Sequence, residues 1–302
     1  MSDLTAHDPP RARLWAAFTA IYLIWGSTYL AIRFAIETMP PFLMAGTRFL
    51  IAGSILYGWM LWRRIPRPTL IQWRSAAIVG GLLMLGGNGA VVWAEQRVPS
   101  SLTALMVATV PIWMGLINWA WFGGPRPSRR MAAGLALGFA GIVVLIGPGE
   151  MAGGGRIDLL GAAALLFSSV SWAFGSLYSR HAPLPTVPLL STAMQMLGGG
   201  TLMLIAGTLM GEWARFDPSA ITLRSLLAYG YLIVFGSLIA FSAYVWLLRV
   251  AMPARVATYA YVNPVIAVLL GWALAGEPLT LRTGLAALVI VAAVVIVSTR
   301  GR

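Results

Sequence analysis

Long apolar runs alternate with short polar connections along the whole chain, at roughly 15–36, 42–62, 74–94, 100–122, 131–147, 159–179, 187–210, 225–248, 254–275 and 281–298. Each run is close to the 20 or so residues an α-helix needs to cross a hydrocarbon core roughly 30 Å thick. The pattern therefore predicts ten transmembrane helices. Breakers fall in or beside the connections: Pro66, Pro68, Pro99, Pro125, Pro127, Pro148, Pro183, Pro185, Pro218, Pro253 and Pro278, together with Gly123, Gly124 and the glycines at 153–155. No remaining stretch is long enough for a soluble domain.

Composition agrees, because 59% hydrophobic and 10% charged residues cannot be arranged as a water-soluble fold. The net charge of +12 would suggest nucleic acid in a soluble protein, but its distribution reads as membrane topology instead. All 21 basic residues are Arg. With the N-terminus placed in the cytoplasm, the inner side collects fourteen of them: Arg11, Arg13, Arg63, Arg64, Arg67, Arg74, Arg126, Arg129, Arg130, Arg180, Arg249, Arg255, Arg300 and Arg302. The outer side holds Arg33, Arg97, Arg156, Arg215, Arg224 and Arg282, with seven of the nine acids, Glu37, Glu95, Glu150, Asp158, Glu212, Asp217 and Glu277. Both termini are expected in the cytoplasm, with the lipid bilayer as partner and no nucleic acid. The first apolar run is long and lacks a small-residue cleavage pattern, so it is expected to stay as the first helix. With no Cys, disulfides and thiolate chemistry are excluded, while His7 and His181 fall in the tail and a loop. No metal site or cofactor is expected.

The chain also repeats itself. A shift of 153 residues brings Trp93 onto Trp246, Pro111 onto Pro264, Gly123 onto Gly276, Pro125 onto Pro278 and Arg129 onto Arg282. A weaker echo relates Gly26-Ser27-Thr28-Tyr29 to Gly175-Ser176-Leu177-Tyr178. A unit of five helices enters the membrane from opposite sides in its two copies, so the fold class is all-α integral membrane, ten helices in two inverted five-helix repeats. The expected limits are a cytoplasmic tail at 1–13, a first repeat over 14–149 and a second over 150–299. Two inverted copies can exchange conformations around a midplane site, which is the geometry of a carrier. Pro111 and Pro264 stand in the middle of equivalent spans. Each removes an amide hydrogen and clashes with the carbonyl four residues back, that of Val107 or Ala260, so both are expected as hinges beside the path.

IWGSTYLAIRFAI in the first helix, GTRF at 46–49, TVPIWMGLINWAWFG in the fourth and NPVIAVLLGWALAGEPLTLRTGLA across the last two resemble the drug/metabolite transporter superfamily, in particular its EamA-type ten-helix exporters. The resemblance implies a multi-pass protein of the bacterial inner membrane that exports amino acids and related metabolites. The family often has an acid in the first repeat matching the Gly-Glu after the ninth helix; here Gly123-Gly124 stands there and only Glu277 is present.

Arg48 is the charge most clearly inside a span, and its expected role is a structural tie between helices. No Asp or Glu falls near the middle of a span, Glu95 lying at the end of the third, so exchange or uniport is favoured over proton coupling. Trp15, Trp59, Trp62, Trp73, Trp119, Trp121 and Trp213 lie near helix ends and belong to the interfacial belt. The polar and aromatic residues at midspan are the candidate cavity: Trp25, Asn88, Trp113, Trp172, Tyr244, Tyr259 and Asn263. Indole, phenol and amide groups suit a small, partly apolar solute whose charges cancel, and hydrophobic or aromatic amino acids are the first expectation. Drugs or other metabolites are the alternative. Gly134 and Gly138 form a GxxxG pair for packing the fifth helix, and the glycines of GLLMLGGNGA and GGGTLM are read as close helix contacts. An intramembrane enzyme would need paired acids, a metal cluster or an activated nucleophile within the spans, and Ser168, Ser169 and Ser171 have no neighbouring His. Oligomeric state is left open.

Overall fold

The structure is a computed structural model that describes residues 10–126, 129–146 and 158–298. Most of the tail at 1–13, Pro127, the connection carrying Pro148, Glu150 and Arg156 with the 149/150 repeat boundary, and Arg300 and Arg302 lie outside the described residues. Among the described residues there is no strand. Ten long helices follow in order: α1 Arg11–Ala35, α2 Pro41–Trp62, α3 Leu70–Ala94, α4 Ser100–Phe122, α5 Arg129–Ile146, α6 Leu159–Tyr178, α7 Pro188–Leu209, α8 Leu223–Val250, α9 Tyr259–Ala275 and α10 Leu281–Ser298. The short helix Pro253–Val256 leads into α9. By length and composition α1, α2, α3, α4, α6, α7 and α8 can each cross a membrane. The other three are apolar helices of 18, 17 and 18 residues.

The boundaries sit within about a turn of those predicted, because local chemistry sets them. Thr69 and Gln72 form a reciprocal capping box that starts α3. Asp158 accepts from the amides of Leu160 and Gly161 to start α6, and Thr222 accepts from Ser225 to start α8. Proline opens α2 and α7, where its missing N–H is no loss.

Packing repeats as the sequence does. α1 lies against α9 and α6 against α4; α1 packs on α8 and α6 on α3; α2 packs on α8 and α7 on α3; α2 pairs with α7, and α5 with α10. Exchanging the halves (1 with 6, 2 with 7, 3 with 8, 4 with 9, 5 with 10) maps the set of contacts onto itself, with α2–α7 and α5–α10 unchanged. The α2–α7 contact is close because Gly46 of one helix meets Gly200 of the other backbone to backbone. In the α5–α10 pair Gly141 fits against Ile290, while Gly138 of the expected GxxxG pair lies against Ile112 of α4.

Candidate functional site

Two stretches of widened helix face each other across the centre of the bundle. In α3 the segment Gly81–Gly89 winds as π-helix, and in α8 the segment Leu232–Phe241 does the same. These are the third helices of the two repeats, at nearly matching positions. A π turn displaces carbonyls from the regular ladder and is a frequent mark of functional sites. Here neighbouring side chains take up those carbonyls: Ser168 donates to Gly87 O at 2.8 Å, Ser171 to Leu82 O at 2.7 Å and Trp25 Nε1 to Gly236 O at 3.3 Å. The expected role of the α3 glycines as close contacts holds at Gly87, where a Cβ would come within 2.7 Å of the Trp172 ring.

Between the widened segments lies a cavity of about 70 Å³, walled by Trp25, Thr28, Tyr29, Ile32, Arg48, Phe49, Met84, Gly87, Asn88, Val91 and Val107 from the first half and by Ser168, Trp172, Gly236, Phe241, Tyr259 and Asn263 from the second. Of the seven residues expected at midspan, Trp25, Asn88, Trp172, Tyr259 and Asn263 line it. Their rings form a box: Trp25 meets Trp172 at 5.5 Å and Tyr259 at 5.3 Å, both nearly edge to face. Asn263, with its amide oriented by its neighbours, donates to Tyr259 O and to Tyr22 O at 3.1 and 2.9 Å, so it also ties α9 to α1.

Tyr244 and Trp113 are not on the cavity surface. Tyr244 is fully buried one layer behind it, where its hydroxyl accepts from Trp172 Nε1 at 3.0 Å and pairs with Ser176 Oγ at 2.6 Å. It fixes the rotamer of a lining residue instead of lining. Trp113 lies beyond the interruption in α4 and packs on a separate cluster containing Val110, Met114, Ala173 and Leu177, so its helix face is turned toward α6. Equal depth in a span does not give equal facing.

The prolines differ from each other in a way their matched positions concealed. α4 is broken into Ser100–Val107 and Val110–Phe122, with Pro111 at the start of the second piece and Val107 on the cavity wall. The second copy breaks earlier, at Ala257–Thr258, and Pro264 stands inside a continuous helix. At each break a threonine hydroxyl returns to the carbonyl three residues back, Thr109 to Met106 at 2.8 Å and Thr258 to Arg255 at 2.6 Å.

Arg48, expected as a structural tie, does reach another helix, since Nη2 donates to Asn88 Oδ1 at 2.7 Å. It is also part of the cavity wall, with 4% of its surface exposed and with Nε and Nη1 lacking hydrogen-bond partners. Glu95, which follows α3, is fully buried, and neither of its carboxylate oxygens has a hydrogen-bond partner. Its place at a span end did not reveal that burial. Nor did the sequence show what the other acids of that end do. Glu277 accepts from Ser100 N, Ser100 Oγ and Ser101 N at 2.9, 2.7 and 3.0 Å, capping α4 from the other half. Glu212 accepts from Phe42 N and Leu43 N at 3.2 and 2.9 Å, capping α2 in the same way.

The architecture matches known proteins along its whole length. The EamA-like transporter family matches residues 13–147 and again 159–299. The "Uncharacterized inner membrane transporter YedA" of Escherichia coli (strain K12) is 44% identical over 286 residues, covering 94% of this chain and 90% of that protein. The "Probable amino-acid metabolite efflux pump" of Salmonella typhimurium (strain LT2) is 25% identical over 269 residues, 86% of each chain. A solved crystal structure with 24% identity superposes at a TM-score of 0.66, covering 95% of this chain and 97% of that one, a likeness of fold. One family matched twice in succession, and an inner membrane transporter this similar over nearly its full length, establish that the chain belongs to the EamA-like transporter family and is an inner membrane transporter.

Proposed function

We propose that the protein exports small metabolites by alternating access around the central cavity, with amino acids, aromatic or otherwise hydrophobic, as the favoured class. The observation that carries this reading is a central cavity walled by both halves, in which indole, phenol and amide groups converge. Aromatic faces accept an apolar side chain and an ammonium group alike. The efflux named for the Salmonella relative supports the direction and the amino-acid class.

The two halves, 14–149 and 150–299, are the moving units, and both termini face the cytoplasm. A cavity of about 70 Å³ holds roughly five to seven waters, each needing some 10–15 Å³. An amino acid therefore enters only when the walls part. The break before Pro111 and the break at Ala257–Thr258 are the hinges for that motion, with Pro264, which cannot bond back to the Ala260 carbonyl, a further point of bending beyond the second.

The test is counterflow of labelled amino acids into liposomes carrying the purified protein. Saturable exchange of L-tryptophan or L-phenylalanine is expected, falling on the order of tenfold in Trp172→Ala, which removes an edge-to-face partner and a cavity wall. Asn263→Ala, which loosens α9 from α1, is expected to fall similarly. Absence of exchange for every amino acid in a well-folded preparation would sink the substrate class.

A further inference from the structure

Arg48 is the one cation on the cavity wall among the described residues, and its hydrogen bonding is incomplete. Its guanidinium is held on two sides. Phe49 lies under it, 4.3 Å from Cζ to the ring centroid, and Asn88 takes one hydrogen bond from Nη2. The group is thus immobilised with the donors on Nε and Nη1 unsatisfied. A buried donor without an acceptor is costly, and a charged one more so. No described carboxylate lines the cavity to supply that acceptor, and the carboxylate of Glu95, although buried nearby and without a hydrogen-bond partner, makes no hydrogen bond to Arg48.

We propose that Arg48 is the substrate-recognition charge of this cavity and that the ligand it takes is an organic carboxylate with an apolar or aromatic tail. A guanidinium presents donors along both of its edges, and with Nη2 partly engaged by Asn88 a carboxylate finds a free donor on either one. The tail then lies in the box of Trp25, Trp172 and Tyr259. An α-ammonium group meets only aromatic faces and neutral amides there, with no counter-charge on the wall. The carboxylate is therefore required and the ammonium dispensable. This deepens the amino-acid reading, on whose cavity it rests, and extends the substrates to monocarboxylates that are not amino acids.

The experiment measures ligand-dependent thermal stabilisation of the purified protein in detergent with L-phenylalanine, 3-phenylpropionate (no ammonium), phenethylamine (no carboxylate), benzoate and hexanoate. The first two are expected to stabilise with affinities within a few-fold of each other, and phenethylamine not at all. Arg48→Gln is expected to weaken both by on the order of tenfold or more, with Arg48→Lys in between, since a lysine keeps the charge and loses the planar donor array. Stabilisation by 3-phenylpropionate but not L-phenylalanine, lost in Arg48→Gln, would overturn the amino-acid reading and uphold the carboxylate site. Stabilisation by phenethylamine with none by 3-phenylpropionate, wild-type affinity in Arg48→Gln, or no stabilisation by any of the four carboxylates would each overturn the assignment. Should Arg48→Gln fail to fold, the ligand series on wild-type protein decides alone.

Discussion

α4 and α9 end on one backbone and opposite side chains. Both finish at a left-handed glycine, Gly123 with φ +67° and Gly276 with φ +65°. In both, the next amide closes back on the helix, Gly124 N to Asn118 O at 2.8 Å and Glu277 N to Gly271 O at 3.1 Å. The repeat sets Asn118 against Gly271 and Gly124 against Glu277. The first copy thus places its side chain within the helix and a glycine after it, and the second does the reverse. Asn118 packs locally over Gly124, whereas Glu277 lies over Gly271, where a Cβ would sit 2.6 Å from Oε2, and reaches on to the start of α4. Duplication kept the turn, and divergence decided which end is tied to the other half. The Glu277 end gains a second tie through Glu212, which is 1% exposed and lies over Gly207. At the opposite end no acid follows α2 or α4; there Arg249 donates to the carbonyls of Thr186 and Pro185 at 2.6 and 2.9 Å. The asymmetry makes the acid-capped end the firmer closure.

The most severe way to break this comparison is to make α9 end as α4 does, with the double change Gly271→Asn and Glu277→Gly. It strips three hydrogen bonds from Ser100 and Ser101 and leaves buried donors at a helix start. A loss of about 3 kcal/mol is expected in equilibrium unfolding in micelles. An unchanged midpoint would show that the tie contributes nothing to the fold. Glu277→Gln is milder, since the amide keeps one acceptor oxygen and gives up the charge at a helix N-terminus. About 1–2 kcal/mol is expected, with faster counterflow if opening this end limits exchange. Glu95→Gln supplies the contrast. Glu95 is as buried as Glu212 but its carboxylate accepts no hydrogen bond, so neutralising it removes no hydrogen bond and relieves a desolvated acid. Its stability is expected to stay within about 0.5 kcal/mol of wild type or to rise. A loss matching that of Glu277→Gln would mean that Glu95 is an equal anchor.

The spans, the duplication and most of the cavity were legible because they follow from properties of single positions: hydropathy, breaker residues and depth. Trp25, Trp172 and Asn263 were found because a polar or aromatic group at midspan is conspicuous in an apolar run. Trp113 was misplaced because depth carries no information about facing, and the break before Pro111 turns the helix that carries it. The π segments escaped for a related reason, since a widened turn is set by how Ser168, Ser171 and Trp25 meet carbonyls from other helices. The paired glycines of GLLMLGGNGA were the available sign. Matched prolines led to the expectation of matched hinges, and the structure separates them, opening α4 before Pro111 but the second copy at Ala257–Thr258, where a threonine hydroxyl can take up a freed carbonyl. Glu95, Glu212 and Glu277 look alike as acids beside span ends. What separates them is the presence or absence of a helix start in the other half, which no local pattern records.

The smallest expected effect sharpens the comparison at another helix start. Asp158 caps α6 through Leu160 N and Gly161 N and accepts from Arg97 at 2.7 Å, the ion pair lying on the surface. The Arg97 hydrogen bond, then that of Gly161, holds its carboxyl below the usual aspartate range. A group whose folded-state pKa is depressed stabilises the protein above its ordinary pKa, near 3.9 for an aspartate, and loses that contribution as the pH falls through the lowered value. Asp158→Asn retains a capping oxygen and discards the ion pair. Its melting temperature is therefore expected to lie slightly below wild type at neutral pH and to converge on it in acid, with the gap also shrinking in high salt because exposed charges are screened. A gap that persists through both conditions would assign the effect to cap geometry and not to the ion pair.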